Sequence, residues 1–174
     1  LMGVGGAGNN AINRVLNNNP NEIELIAVNA DQSELALCNC ESKILIGEET
    51  FKGLGVKRQF EFGKSATEES AGKIQEKLNG VDVLIIRCGF GGGTGTGATP
   101  IIAHIAKEMG ILTIAVVTQP FEFEDLTYSK SKSLEMQELQ EEVDVLLVVS
   151  NQMVLKSVKK HTTLPEALDK IDCA

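Results

Sequence analysis

Apolar residues run together in short blocks, and between the blocks lie longer stretches in which they recur at helical spacing. Leu1-Met2 closes one block, and Glu24–Asn29 (ELIAVN), Lys43–Ile46, Val81–Arg87 (VDVLIIR), Leu112–Thr118 and Val143–Val149 are the others. Such short runs, dominated by Val, Ile or Leu, predict strands. Ala7–Asn17, Thr99–Met109 and the charged Thr127–Glu142 predict helices. Ser33–Leu37 and Met153–Val158 predict shorter helical turns, and another helix begins at Leu164. Glu61–Asn79 predicts one long amphipathic helix with Phe62, Ala66, Ile74 and Leu78 along one side. Strands this apolar, alternating with helices, imply a mostly parallel sheet covered by helices on both faces, a Rossmann-like three-layer α/β sandwich. In such sheets ligands bind outside the carboxyl ends of the strands, where the glycine-rich loops of this chain also fall.

Composition narrows the possible ligands. The 174 residues suffice for one domain with a sizeable core. A hydrophobic share of 43%, with 6 Phe, 1 Tyr and no Trp, suits a core of aliphatic strands. The net charge of −8 argues against general affinity for nucleic acid or an anionic membrane, so a polyanion would be held locally, by backbone amides or a metal ion. Cys38 and Cys40 form a C-x-C pair, but no second pair or nearby histidine completes a zinc site. With Cys88 and Cys173 they read as free thiols of a reducing compartment. No apolar run is long enough to span a bilayer and nothing resembles a secretory signal, which predicts a soluble cytoplasmic protein.

Two glycine loops hold the candidate chemistry. The first, Gly3-Val4-Gly5-Gly6-Ala7-Gly8-Asn9-Asn10, follows a strand and opens a helix. Glycines let a backbone approach a phosphate without a Cβ clash, and the helix behind offers unpaired amides and the positive end of its dipole. Gly3, Gly5 and Gly8 also match the dinucleotide fingerprint, with Asp31 standing where a ribose-binding acid is expected. Alone, this loop fits a dinucleotide such as NAD, a mononucleotide, or a packing turn with no ligand. The second loop, Cys88 to Gly97, has five glycines between Gly91 and Gly97. That concentration costs conformational entropy that a mere turn does not explain. It exposes consecutive amides, and Thr94 and Thr96 add hydroxyl donors. A dinucleotide fold needs no second phosphate cradle, and no Lys-Ser/Thr ends the loop as a P-loop would require.

Gly91-Gly92-Gly93-Thr94-Gly95-Thr96-Gly97 resembles the signature of the tubulin and FtsZ GTPases, and the rest of the chain resembles FtsZ more than tubulin. Gly5 to Asn10 is similar to the family's first phosphate loop, Val28-Asn29-Ala30-Asp31 to its second, and Gly53-Leu54-Gly55 to the entry of its third. Ala115 to Glu124 (AVVTQPFEFE) resembles the strand and ribose loop, and Val143 to Leu146 with Ser150-Asn151 resembles the strand and turn that reach the guanine. The resemblance spans essentially the whole chain.

The resemblance implies GTP or GDP with Mg²⁺ as ligands. Gly5, Gly6, Ala7, Gly8, Asn9 and Asn10 would wrap the α- and β-phosphates, and Gly92, Gly93, Thr94, Gly95 and Thr96 the β- and γ-phosphates. Asn29 and Asp31 would lie near the γ-phosphate and its metal, with Asp31 the possible Mg²⁺ ligand, while Asp31 also suits the N-cap of the Ser33–Leu37 turn. Glu124 would accept from a ribose hydroxyl, and Asn151 and Asp172 would read the guanine edge. The resemblance further implies head-to-tail self-assembly into protofilaments, with hydrolysis completed by acidic residues of the adjacent subunit. It implies a role in prokaryotic cell division at mid-cell, with adaptors bound through a C-terminal tail. No catalytic residue is expected in this chain. It reads as a GTP-binding domain over residues 1–174 that lacks most of its first strand, stops near the start of the central helix and has no C-terminal domain.

Three departures mark a divergent member. Where the family's third loop continues with small residues and Asn-Pro, this chain has Val56-Lys57-Arg58-Gln59-Phe60. Lys57 and Arg58 either supply charge to the phosphates or face solvent. Beyond Glu124 the family usually has Gly and basic residues, one touching the nucleotide. Here the chain reads Asp125-Leu126-Thr127-Tyr128, so that basic group is missing or its place is taken by Tyr128. The aromatic residue that stacks on guanine is replaced by Leu168. Two other readings remain beside an active GTPase: a non-hydrolysing structural or regulatory homologue, and a Rossmann-type NAD-binding enzyme.

Overall fold

The structure, a computed structural model, describes residues 1–17, 23–121, 131–153 and 162–163. In chain order its elements are β1 (Met2–Val4), α1 (Gly5–Asn17), β2 (Ile26–Asn29), α2 (Gln32–Ala36), β3 (Ser42–Leu45), α3 (Glu48–Phe51), α4 (Phe60–Glu69), α5 (Ala71–Leu78), β4 (Val83–Gly89), α6 (Gly93–Glu108), β5 (Leu112–Gln119), α7 (Ser131–Glu142) and β6 (Val145–Ser150). The strands form one sheet in the order β3-β2-β1-β4-β5-β6, and every pairing is parallel. This is the parallel α/β sandwich expected from the apolar blocks. Parallel strands need helical crossovers, which is why helices alternate with them along the chain. The helices expected over Met153–Val158 and from Leu164 onward extend outside the described residues.

Helices cover both faces and divide the core. The larger cluster joins Met2, Val4, Val28, Ile86 and Val117 of the sheet to Ile74, Leu78 and Ile102 of the helices. The smaller one packs Ile12 against Leu25, Ala27, Leu35, Cys38 and Cys40. Cys38, Cys40 and Cys88 are buried free thiols, as expected. Cys40 Sγ donates to the Ser42 carbonyl at 2.8 Å. β6 forms one edge, with Val145, Leu147 and Val148 half exposed. Among the described residues, no helix is long and apolar enough to cross a membrane.

Two expectations are corrected. Glu61–Asn79 is not one helix: Ser70, at φ −102° and ψ 10°, ends α4 and precedes α5. Its buried hydroxyl accepts from Gly47 N at 3.0 Å, tying the break to the turn after β3. The buried side of α4 is therefore Phe60, Gly63, Ala66 and Thr67. Phe62 turns outward, 44% exposed, with its ring 5.5 Å from that of Phe51. The other correction concerns helix starts. α1 begins at Gly5 and α6 at Gly93, so both glycine loops lie largely inside first helical turns rather than ahead of them.

Candidate functional site

The carboxyl ends of β1, β4 and β5, together with the turn after β6, open into a cavity of about 370 Å³. Gly5, Gly6 and Ala7 form one wall, Gly91 to Gly95 another, and Thr118 and Pro120 continue it towards Asn151. Gly89 and Phe90 also line it. The sheet order makes the cavity a trough: Asn151 follows the edge strand β6, whereas the first loop follows the more central β1.

Most glycines of the two loops answer to packing on their protein side. A Cβ on Gly8 would sit 2.4 Å from the Arg87 carbonyl oxygen, and one on Gly3 2.4 Å from the Gly8 carbonyl oxygen. These two glycines let α1 lie directly on β1 and β4. In the second loop a Cβ on Gly93 would meet the Lys57 carbonyl oxygen at 2.4 Å, on Gly95 that of Gly89 at 2.5 Å, and on Gly97 that of Phe60 at 2.1 Å. Gly92 meets nothing within 4 Å, and Gly91 holds φ 114°, a conformation that glycine alone adopts easily. The density of glycine thus has two causes: close helix packing inside, and an unobstructed backbone on the cavity side.

The amides are less free than the sequence suggests. Gly91 N donates to Thr96 Oγ1 at 2.9 Å, Gly93 N to the Lys57 carbonyl at 2.8 Å and Thr96 N to the Gly92 carbonyl at 3.1 Å. Thr96 is fully buried and its hydroxyl closes the loop, so Thr94 is the threonine on the cavity wall. α6 has 16 residues and Gly92 at its N-cap makes no side-chain cap bond, which leaves the dipole's positive end at the cavity.

Behind the first loop lies a polar network. With the Asn9 amide nitrogen facing the Gly3 and Gly5 carbonyls it donates at 3.0 and 3.3 Å, and its oxygen accepts from Asn29 Nδ2 at 3.1 Å. Asn29 is 1% exposed; its Nδ2 also donates to Glu34 Oε2 at 3.0 Å and its Oδ1 accepts from Asp31 N at 3.2 Å. Asp31 caps α2, its Oδ1 accepting from Ser33 N at 2.8 Å and Glu34 N at 3.1 Å. Asn9, Asn29 and Asp31 thus support the loops without lining the main cavity. Gly8 is buried against β4, and Asn10 lines a neighbouring cavity of about 190 Å³ with Asn9, Asn13 and Cys38. Glu34 and Gly6 line both cavities.

Asn151 stands at the far end of the trough. It is 9% exposed, lines the cavity, and its Oδ1 accepts no hydrogen bond among the described residues. A buried unsatisfied acceptor costs free energy unless a ligand or water donates to it. Beneath the floor, burial pushes the Cys88 thiol up to about 11, so it stays protonated and is no nucleophile.

Gly5, Gly6, Ala7, Gly92, Gly93, Thr94, Gly95 and Asn151 are therefore brought to one cavity. Glu124, Tyr128 and Asp172 lie outside the described residues. Sequence reasoning missed Glu34, whose only signal is its place three residues after Asp31 in the α2 cap, and Thr118 and Pro120, which lie near the end of β5 and just past it, inside the resembling stretch. Lys57 and Arg58 both line the cavity and both are exposed, a placement that fits either reading of the pair.

A family model described as the tubulin/FtsZ family, GTPase domain, matches residues 1–159. Among solved structures, an empty FtsZ dimer of M. jannaschii matches with a TM-score of 0.90 at 36% identity, over 98% of this chain and 50% of that one. CetZ2 of Haloferax volcanii, solved as a GTPγS-bound protofilament, matches at 0.85 and 22% identity, over 98% and 53%. CetZ of Methanosaeta thermophila matches at 0.80 and 23%, over 98% and 49%. The two CetZ likenesses speak for the fold alone, and the chain spans about half the length of these proteins. The family model over most of the chain and the FtsZ match lead to one conclusion: the chain belongs to the tubulin/FtsZ family and carries its GTPase domain.

Proposed function

We propose that this domain binds GTP and GDP along the trough, with the phosphates between the Gly5–Ala7 and Gly92–Gly95 backbones and the guanine at Asn151. The observation that supports this best is the buried, unpartnered Oδ1 of Asn151 at the end of a cavity that also receives the N-terminus of α6. An amide oxygen there accepts from the donor edge of guanine. Mg²⁺ would neutralise charge on the phosphate oxygens. The residues that would hold it are Glu34, on the cavity wall, and Asp31, whose Oδ2 makes none of the α2 cap bonds. Among the described residues no group of three or more acidic, His or Cys side chains forms a metal cage, in keeping with an ion borne mainly by phosphates and water.

In this reading subunits stack head to tail, a neighbour's acidic residues complete hydrolysis, and the polymer is of the FtsZ type that serves prokaryotic cell division in the cytoplasm. Self-association is supported by the FtsZ relative solved as a dimer. A second reading, a filament former that binds GTP without turnover, is favoured by Lys57 and Arg58 on the cavity wall where the family's loop has small residues. Calorimetric titration of the full chain with GTP, GDP, ATP and NADH tests the site. Equal affinity for ATP and GTP, or binding of NADH alone, defeats the guanine assignment. A GTPase assay beside sedimentation with and without GTP then separates the two filament readings.

A further inference from the structure

The smaller cavity, of about 190 Å³, lies between α1 and α2 and has Cys38 on its wall. Cys38 and Cys40 belong to the segment that joins α2 to β3. Both are buried, at 2% and 3% exposure, while Asn39 between them is exposed. Such alternation follows from an extended backbone, which turns residues two apart to the same side. The two cysteines accordingly share one core cluster with Ile12 and Leu25, and the Cys38 thiol is a hydrogen-bond neighbour of Cys40.

The two sulfurs differ in access. Cys38 Sγ donates to the Asn9 carbonyl at 3.7 Å and lines the smaller cavity. Cys40 lines neither cavity, and its Sγ donates to the Ser42 carbonyl at 2.8 Å and the Leu25 carbonyl at 3.7 Å. Burial, with the Cys38 thiol beside it, pushes the Cys40 thiol above its usual value. Asn13 clamps the segment to α1: its Oδ1 accepts from Asn39 N at 2.7 Å and its Nδ2 donates to the Leu37 carbonyl at 3.1 Å. A small molecule in the cavity therefore meets Cys38 first, with Cys40 held next to it.

We propose that Cys38 and Cys40 form a peroxide-responsive dithiol, in which the cavity admits hydrogen peroxide to Cys38 and Cys40 then closes a reversible disulfide with it. Cys38 Sγ attacks one peroxide oxygen, the O–O bond breaks, and the departing oxygen leaves as water with the thiol proton, giving a sulfenic acid. The Cys40 sulfur attacks that of Cys38, so the S–S bond forms, the S–O bond breaks, and the hydroxyl leaves as water with the Cys40 proton. The thiols are oxidised by two electrons, and the peroxide is reduced to water. The pair's advantage is access and proximity, since capture by Cys40 competes with further oxidation of Cys38. In a reducing compartment such a bond is transient and follows the oxidant. It lies behind the first glycine loop, because Cys38 touches Asn9 of α1 and α1 begins with that loop.

The test treats the folded full chain with graded hydrogen peroxide, alkylates the remaining thiols after denaturation and maps them by mass spectrometry. Cys88, 1% exposed and lining neither cavity, is the internal control. The expected result is a Cys38–Cys40 bond that forms at least about tenfold faster than Cys88 is modified and is removed by a dithiol reductant. In Cys40→Ser the reaction should stop at a Cys38 sulfenic acid, trapped by a cyclic diketone. In Cys38→Ser, Cys40 should react at least about tenfold more slowly than in the parent. Thermal melting verifies the fold of both variants, and mapping of the parent chain decides the matter if either fails to fold. Bonds from Cys38 or Cys40 to Cys88 or Cys173, or modification of Cys88 as fast as the pair, overturn the proposal. A Cys40 that reacts as readily in Cys38→Ser as in the parent overturns it too, since the cavity would then not be the route.

Discussion

Gly97 of α6 lies against Gly63 of α4: a Cβ on Gly97 would come within 3.0 Å of Gly63 Cα and 2.1 Å of the Phe60 carbonyl oxygen. The last glycine of the GGGTGTG run is therefore a helix-crossing residue, placed where backbone meets backbone. Gly97→Ala should destabilise the fold by about 1–3 kcal/mol or more, since neither helix backbone can yield cheaply. Gly92→Ala is the contrast: its site is open, at φ −92° and ψ 151°, so stability should change by less than about 1 kcal/mol. Its new methyl stands on the cavity wall, so nucleotide affinity should fall. Denaturant unfolding of both variants checks the pair, and a Gly97→Ala protein as stable as the parent would refute the packing role.

The sheet was legible in the sequence because its inner strands, such as β1 and β2, are buried on both faces and its strands read as short apolar runs. Helix starts were not legible, because glycine reads as a breaker until its neighbours are known. Gly93, Gly95 and Gly97 sit inside α6 because backbone from elsewhere in the chain approaches them there. Ser70 gives no local sign that its hydroxyl serves the Gly47 turn and so divides α4 from α5. The convergence of both glycine loops and Asn151 on one cavity followed from the strand order. Glu34 escaped notice because its place on the wall depends on α2 folding back to Asn29.

Asp31 is expected to act first as a helix cap. Its Oδ1 takes both the Ser33 and the Glu34 amides, so Asp31→Ala should cost about 1 kcal/mol of stability, measured by denaturant unfolding. Asp31→Asn keeps an acceptor oxygen and should recover most of that. If the carboxylate also serves a phosphate-bound metal, Asp31→Asn will still weaken nucleotide binding in the presence of Mg²⁺ and leave metal-free binding nearly unchanged. An asparagine variant that matches the parent in both states would limit Asp31 to the cap.

Glu69 ties α4 to α3 through a titratable bond. The Thr50 hydroxyl, with the Glu49 amide at 2.9 Å and the Thr50 amide at 3.1 Å, holds its carboxyl below the usual 4.5. A depressed folded-state value means that the attachment is complete above 4.5 and is lost as pH falls through the lower folded value. An NMR titration should show Glu69 protonating below 4.5 together with shifts of the Glu49 and Thr50 amides. Glu69→Gln should abolish that joint transition. Amides that titrate unchanged in the variant would show that another group governs them.

Asn151 allows stability and recognition to be separated. Its Oδ1 bonds to nothing among the described residues, so Asn151→Ala forfeits no bond there at that atom and should cost about 1 kcal/mol or less in unfolding free energy. Removing an acceptor that a base would satisfy should cost about tenfold or more in GTP affinity, because the donor edge of the base is left unpaired in a buried place. ATP presents a different edge there, so its weaker binding should change little. The comparison rests on two titrations with one variant. A parallel loss of GTP and ATP would place Asn151 at the shape of the cavity, and a loss confined to GTP places it at the reading of the base.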